Sequence, residues 1–136
     1  MRIVIETIPM SEQPYNTCGD WRWDGDTLNV KVSKMSDNKA WDYAEMIVGI
    51  HEVIEALMCK VNGVSTETVD KFDQDPKYIK ECEELDIEPG DHPMAPYKVE
   101  HLFATGVEKL LCVGLDIDWY AYENRLIEMT EEYDEQ

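Results

Sequence analysis

His51, Glu52 and Glu55 stand in the stretch "VGIHEVIEALMCKVNG", residues 48–63, and their types and spacing are those of metal chemistry. Side chains four apart on a helix lie one above the other on the same face. An imidazole at 51 and a carboxylate at 55 can therefore both reach one divalent ion, with zinc bonds of ~2.0–2.2 Å. Glu52, the next residue round, cannot easily share that ion but can take a proton from a water on it. With Ile47 set at zero and ~100° per residue, Ile50, Ile54, Met58 and Val61 fall within about 60° of it. On the same wheel His51 lies near ~40°, Glu55 near ~80°, and Glu52 near ~140°, at the edge where Glu45 also projects. The His–Glu pair thus falls inside the apolar arc. Burying an unpaired carboxylate is costly; a metal ion offsets that cost, and a plain His51–Glu55 hydrogen bond at a helix seam is the alternative.

A catalytic zinc takes three protein groups and keeps a fourth position open. The chain has three His, so the third ligand is His101 or His92. On a helix expected over 97–113, His101, Thr105, Glu108 and Cys112 line one stripe, and Phe103, Val107, Leu110 and Leu111 make its apolar side. His101 is the favoured ligand, with Glu108 as a carboxylate behind the ligands or an alternative ligand. His92 lies in the Gly- and Pro-rich "IEPGDHPMAP" and is expected to be exposed.

"HEVIE" preceded by a sheet resembles a zincin-like metallopeptidase domain with a variant HExxE helix motif, Glu55 standing where a second His would be. The resemblance covers the sheet and the helix over 40–62, about half the chain. It implies one Zn2+ held by His51, Glu55 and His101, with Glu52 as the general base. The implied reaction is cleavage of a peptide or small amide, in an active enzyme or in a relative that has lost activity. It also implies that the strand "TLNVKV" is the edge on which an extended peptide pairs. Tyr97, at the start of the second long helix, is a candidate to assist the oxyanion.

The elements that must position these residues are legible from periodicity. "RIVIETI" alternates as a strand, and "DWRWDGDTLNVKV" reads as a hairpin turning at Asp24-Gly25. The first third, residues 1–35, is expected to be a small antiparallel sheet. After "SKMSDNK" the period changes to 3.6, with helices over 40–62, from Ser65, from Pro76, over 97–113, and from Asp116 or Asp118. The expected class is α+β: one domain, 1–136, with a helical part over 40–130 and an acidic, frayed tail over 131–136.

Composition limits the partners. Thirty Asp and Glu against twelve Lys and Arg give a net charge of −18, which repels nucleic acid phosphates and anionic membranes. No apolar run approaches the ~20 residues of a membrane span. The four Cys have no CxxC spacing, and reduced thiols in a cytoplasmic protein are the simplest reading. Three rival readings use the same residues. Glu52, Glu55 and Glu108 could hold magnesium for nucleotide pyrophosphate cleavage; the acidic surface could mimic DNA or meet a basic protein; or a zinc closed by a fourth ligand, His92 or Glu108, could hold helices together.

Overall fold

Leu28, Val30 and Val32 alternate with Asn29 and Lys31, and this alternation becomes the central strand of a three-stranded sheet. The computed structural model describes all residues, 1–136. Strand β1 spans Arg2–Ile8, β2 Gly19–Asp24 and β3 Thr27–Ser33, in the order β1-β3-β2. β2 and β3 form the expected hairpin, with Trp21 opposite Val30 and Trp23 opposite Leu28.

The sheet is mixed, not antiparallel throughout: β1 runs parallel to β3, from Arg2 opposite Thr27 to Ile8 opposite Ser33. The cause is the connection over residues 9–18, which crosses the end of the sheet instead of folding back as a hairpin. Ser33 N–H donates to the Cys18 carbonyl there. The Gln13 amide donates to the Lys31 carbonyl and to Ser33 Oγ. β2 then descends on the far side, and β3 rises in the slot left beside β1. β3 has both edges paired, so "TLNVKV" offers no edge to a peptide; the free edges belong to β1 and β2.

Five helices complete an α+β fold: α1 (Asp42–Asn62), α2 (Thr66–Asp73), α3 (Pro76–Leu85), α4 (Lys98–Gly114) and α5 (Trp119–Asp134). Ser65, Asp75 and Asp118 cap α2, α3 and α5 with side-chain oxygens that accept backbone N–H groups, as their residue types favour. α5 runs through the stretch read as a frayed tail. Asn16 holds it by donating to the Thr130 carbonyl and Asp134 Oδ1, and Met129 is buried beneath it. None of the helices is long and apolar enough to cross a membrane.

α1 lies across the sheet and antiparallel to α4, and both helices are turned differently from their apolar arcs. On α1 the buried residues include Ala44, Val48, His51, Glu55, Ala56 and Cys59, while Val61 is exposed. The buried arc is thus centred near Val48 and Glu55, not Ile47. On α4, Ala104, His101, Glu108 and Cys112 face inward, whereas Phe103 and Leu110 from the expected apolar side are exposed. Trp21, Val30, Val32, Ile47 and Tyr122 belong to one apolar cluster beside this seam. That cluster carries the burial energy, and it leaves the α1–α4 seam free to hold polar groups.

Candidate metal centre

Three ligand-type atoms meet at the α1–α4 seam. His51 Nε2 and His101 Nδ1 each lie 3.1 Å from Glu55 Oε2, and all three groups are buried with candidate ligand atoms within 4.8 Å of one another. The helix explains the first pair, since residues 51 and 55 are one turn apart. The antiparallel passage of α4 brings His101 to the same oxygen. The other Glu55 oxygen is occupied: Trp21 Nε1–H donates to Oε1 at 3.0 Å. The carboxylate therefore presents one oxygen, Oε2, to the two imidazoles.

Each imidazole has a carboxylate behind it. His51 Nδ1 lies against Glu108 Oε1, and Tyr122 O–H fixes Glu108 by donating to Oε2 at 2.6 Å. His101 Nε2 is 3.2 Å from Glu88 Oε2 and 3.6 Å from Asp91 Oδ1. Neither His51 Nδ1 nor His101 Nε2 has an aligned hydrogen-bond partner despite full burial. Burial alone disfavours the imidazolium forms, but the surrounding carboxylates outweigh it. His51, with Glu108 and Glu55, is held well above its ordinary pKa. His101, with Glu55 and Glu88, is raised to about 10. Glu55 is the mirror case: burial pushes it up, yet the two imidazoles bring it down to about 2. Glu55 Oε2 thus accepts from whichever imidazole nitrogens carry a proton.

The three groups lie close enough together to hold a metal ion. Tetrahedral zinc bonds of ~2.0–2.1 Å separate ligand atoms by roughly 3.3 Å, close to the 3.1 Å of each imidazole nitrogen from Glu55 Oε2. Two imidazoles and one carboxylate match a catalytic zinc set, and the carboxylates behind the rings match the orienting shell such ligands use. Glu108 approaches His51 from its Nδ1 edge, away from the Nε2 that meets Glu55, so it acts behind the ligand and does not close the set.

The cluster forms the floor of an open cavity of about 200 Å³ whose lining includes Glu52, Tyr15, Asp20, Asp70, Asp73 and Tyr97. No Lys or Arg lines it. Glu52 is half-buried there, and burial, reinforced by the charge of Glu55, raises its pKa well above the ordinary carboxylate range. Tyr97 is buried and its hydroxyl donates to Asp73 Oδ1 at 2.6 Å, so it is already engaged.

His92 differs from its expectation. It is buried, not exposed, beside Phe72 and Tyr78, with Nε2 2.9 Å from Glu81 and Nδ1 accepting from Met94 N–H. Both nitrogens are used outside the cluster, which removes His92 as a ligand. The aromatic wall of α2 and α3 draws in a loop that its Gly and Pro content marked as surface.

Three further residues belong to the site. Glu88 is the first. Gly90 packs so tightly on His101 that a Cβ there would come within 2.3 Å of its Cγ. Gly19, at the start of β2, would bring a Cβ to 2.6 Å from Glu52 Oε1. "EPGD" and "CGD" signalled turns, but a close approach to a particular side chain has no sequence signature. Comparison with known protein families, curated proteins and solved structures finds no match to the chain.

Proposed function

We propose that the protein is a zinc-dependent hydrolase of the zincin type that cleaves a peptide or small amide. The observation that carries the reading is the convergence of His51 Nε2, Glu55 Oε2 and His101 Nδ1 on the floor of a cavity that Glu52 also lines. Two imidazoles in the set favour zinc over magnesium, which takes oxygen ligands.

Zinc, when bound, supplies Lewis acidity and lowers the pKa of water toward ~7. The chain's own residues do the rest. Trp21 orients Glu55, Glu108 and Tyr122 orient His51, and Glu88 with Gly90 fixes His101. Glu52, its basicity raised by burial, accepts the water's proton and passes it to the departing amine. An extended substrate lies along the edge of β2, whose first residues line the cavity.

The test is metal content by mass spectrometry on the wild type beside His51→Ala, followed by peptide hydrolysis with Glu52→Gln as the control. About one zinc per chain, lost in His51→Ala, and hydrolysis lost in a zinc-loaded Glu52→Gln are expected. A folded protein that takes no zinc when it is offered sinks the proposal.

A further inference from the structure

α4 buries its charged side and exposes its apolar side. Its inner face carries Glu100, His101 and Glu108, all buried, and its outer face carries Val99, Leu102, Phe103, Leu110 and Val113. These five are 69%, 48%, 58%, 72% and 81% exposed. Nothing in the chain covers them. Scattered exposed apolar residues are ordinary, but a continuous stripe along about four helical turns marks a surface for association.

The spacing identifies the occupant. Gly106 stands at the centre of the stripe, and no atom lies within 4 Å of where its Cβ would be. Counting outward, Leu102 and Leu110 are both four residues away, and Val99 and Val113 are both seven away. The order Val–Leu–Gly–Leu–Val thus reads the same in both directions. A two-fold axis through Gly106 sets two antiparallel copies of α4 with Val99 on Val113, Leu102 on Leu110 and glycine on glycine. That is the condition for an isologous interface, in which residue i meets j and j meets i.

Charge permits this contact. The chain carries −18 overall, so most of its faces repel a second copy. Over Lys98–Gly114 the only acidic residues are Glu100 and Glu108, both turned inward, while Lys109 is exposed. The stripe is a gap in the negative surface. Five large side chains at roughly 100 Å² each bury about 1,000 Å² between two copies, at the threshold of a specific interface.

We propose that the protein is a homodimer built on α4, with two copies crossing at Gly106. The glycine lets the backbones approach closely, and the dimer braces the helix whose inner face carries His101 and Glu108. This assembly does not depend on metal.

Sedimentation equilibrium of the full chain tests it, comparing wild type with Gly106→Glu. The substituted side chain points into open solvent in the monomer, so the fold survives, as circular dichroism checks. In the dimer two carboxylates meet on the axis, and association should weaken by about a hundredfold or more. Gly106→Cys adds a register test: mild oxidation should give a covalent dimer, whereas the native thiols, three of them buried, should give none. A wild type that stays monomeric at about 100 µM overturns the proposal, because a tighter dimer than that is expected of this area. So does a dimer indifferent to Gly106→Glu and not cross-linked through position 106, which would place the interface elsewhere. The same monomeric result would leave the stripe to a different protein or to a lipid surface.

Discussion

Gly90 and Gly19 act on the site by what they lack. A methyl at 90 would collide with the His101 ring, and one at 19 with the Glu52 carboxylate. The two substitutions therefore separate metal binding from proton transfer. Gly90→Ala should displace His101 and weaken zinc binding by about 10- to 100-fold, measurable by competition with a chromogenic chelator. Gly19→Ala should leave zinc affinity close to wild type while lowering kcat by up to about a hundredfold, since a displacement near 1 Å costs that much. Should Gly19→Ala release the metal instead, Glu52 holds the cluster together and is not the base. The motif at 51–55 was legible because its spacing matches one helical turn. These glycines were not, because what they meet comes from elsewhere in the chain: position 90 meets 101, and position 19 meets 52.

The helices position the site by turning their polar faces inward, and here the sequence misleads in an instructive way. Periodicity located α1 and α4 to within two residues, and it marked the stripe of His101 and Glu108. It allowed that stripe to face α1, as it does, but it centred the arc of α1 on Ile47 and gave α4 an apolar side of which Phe103 and Leu110 are exposed. An apolar arc faces the core only when nothing else must be buried, and two imidazoles with their carboxylates had the stronger claim. The parallel pairing of β1 was hidden for a similar reason, because alternation sets the face of a strand and not its direction. Asp73 shows what ties these elements at the cavity wall. Tyr97 at the start of α4 and Tyr15 ahead of β2 both donate to it at the end of α2. Burial, partly offset by the Tyr97 hydrogen bond and reinforced by the Glu55 charge, raises its pKa to about 6. A carboxyl whose pKa is higher folded than unfolded (~3.9) costs stability wherever it is ionised in the fold. The cost is absent below pH ~4, grows as pH rises to about 6 and persists above. Melting curves of Asp73→Asn minus wild type should therefore shift in favour of the variant between pH 4 and 6.5. A difference that stays flat across that range means the carboxyl titrates normally. On α4 itself, Glu108→Gln keeps the Tyr122 contact yet removes the charge behind His51; zinc affinity should fall about tenfold with the fold intact, as isothermal titration would read.

At the scale of the whole molecule, the charge of −18 and the buried cluster both respond to cations, and a stability measurement must tell them apart. Sodium chloride screens the repulsion among the carboxylates at the surface, which are most of the chain's thirty. Its effect should rise gradually over tens of millimolar and be the same in every variant. On the proposed reading, zinc at the α1–α4 seam would act by mass action on the folded state alone, stabilising by about 4 kcal/mol at a thousand times its Kd. For a chain of this size that is a rise in Tm of roughly 10 °C. The apolar cluster of Trp21, Val30, Val32, Ile47 and Tyr122 lies beside the seam and needs no ion. The metal-free protein should thus remain folded, its His51, Glu55 and His101 held by their mutual hydrogen bonds, and melt lower but cooperatively. Differential scanning calorimetry with micromolar zinc in 150 mM salt, then with a chelator, should show the rise and its reversal. Glu55→Gln should abolish it while keeping the salt response. An equal zinc effect in that variant would assign the stabilisation to the acidic surface and leave the buried triad as a proton-bridged structural joint.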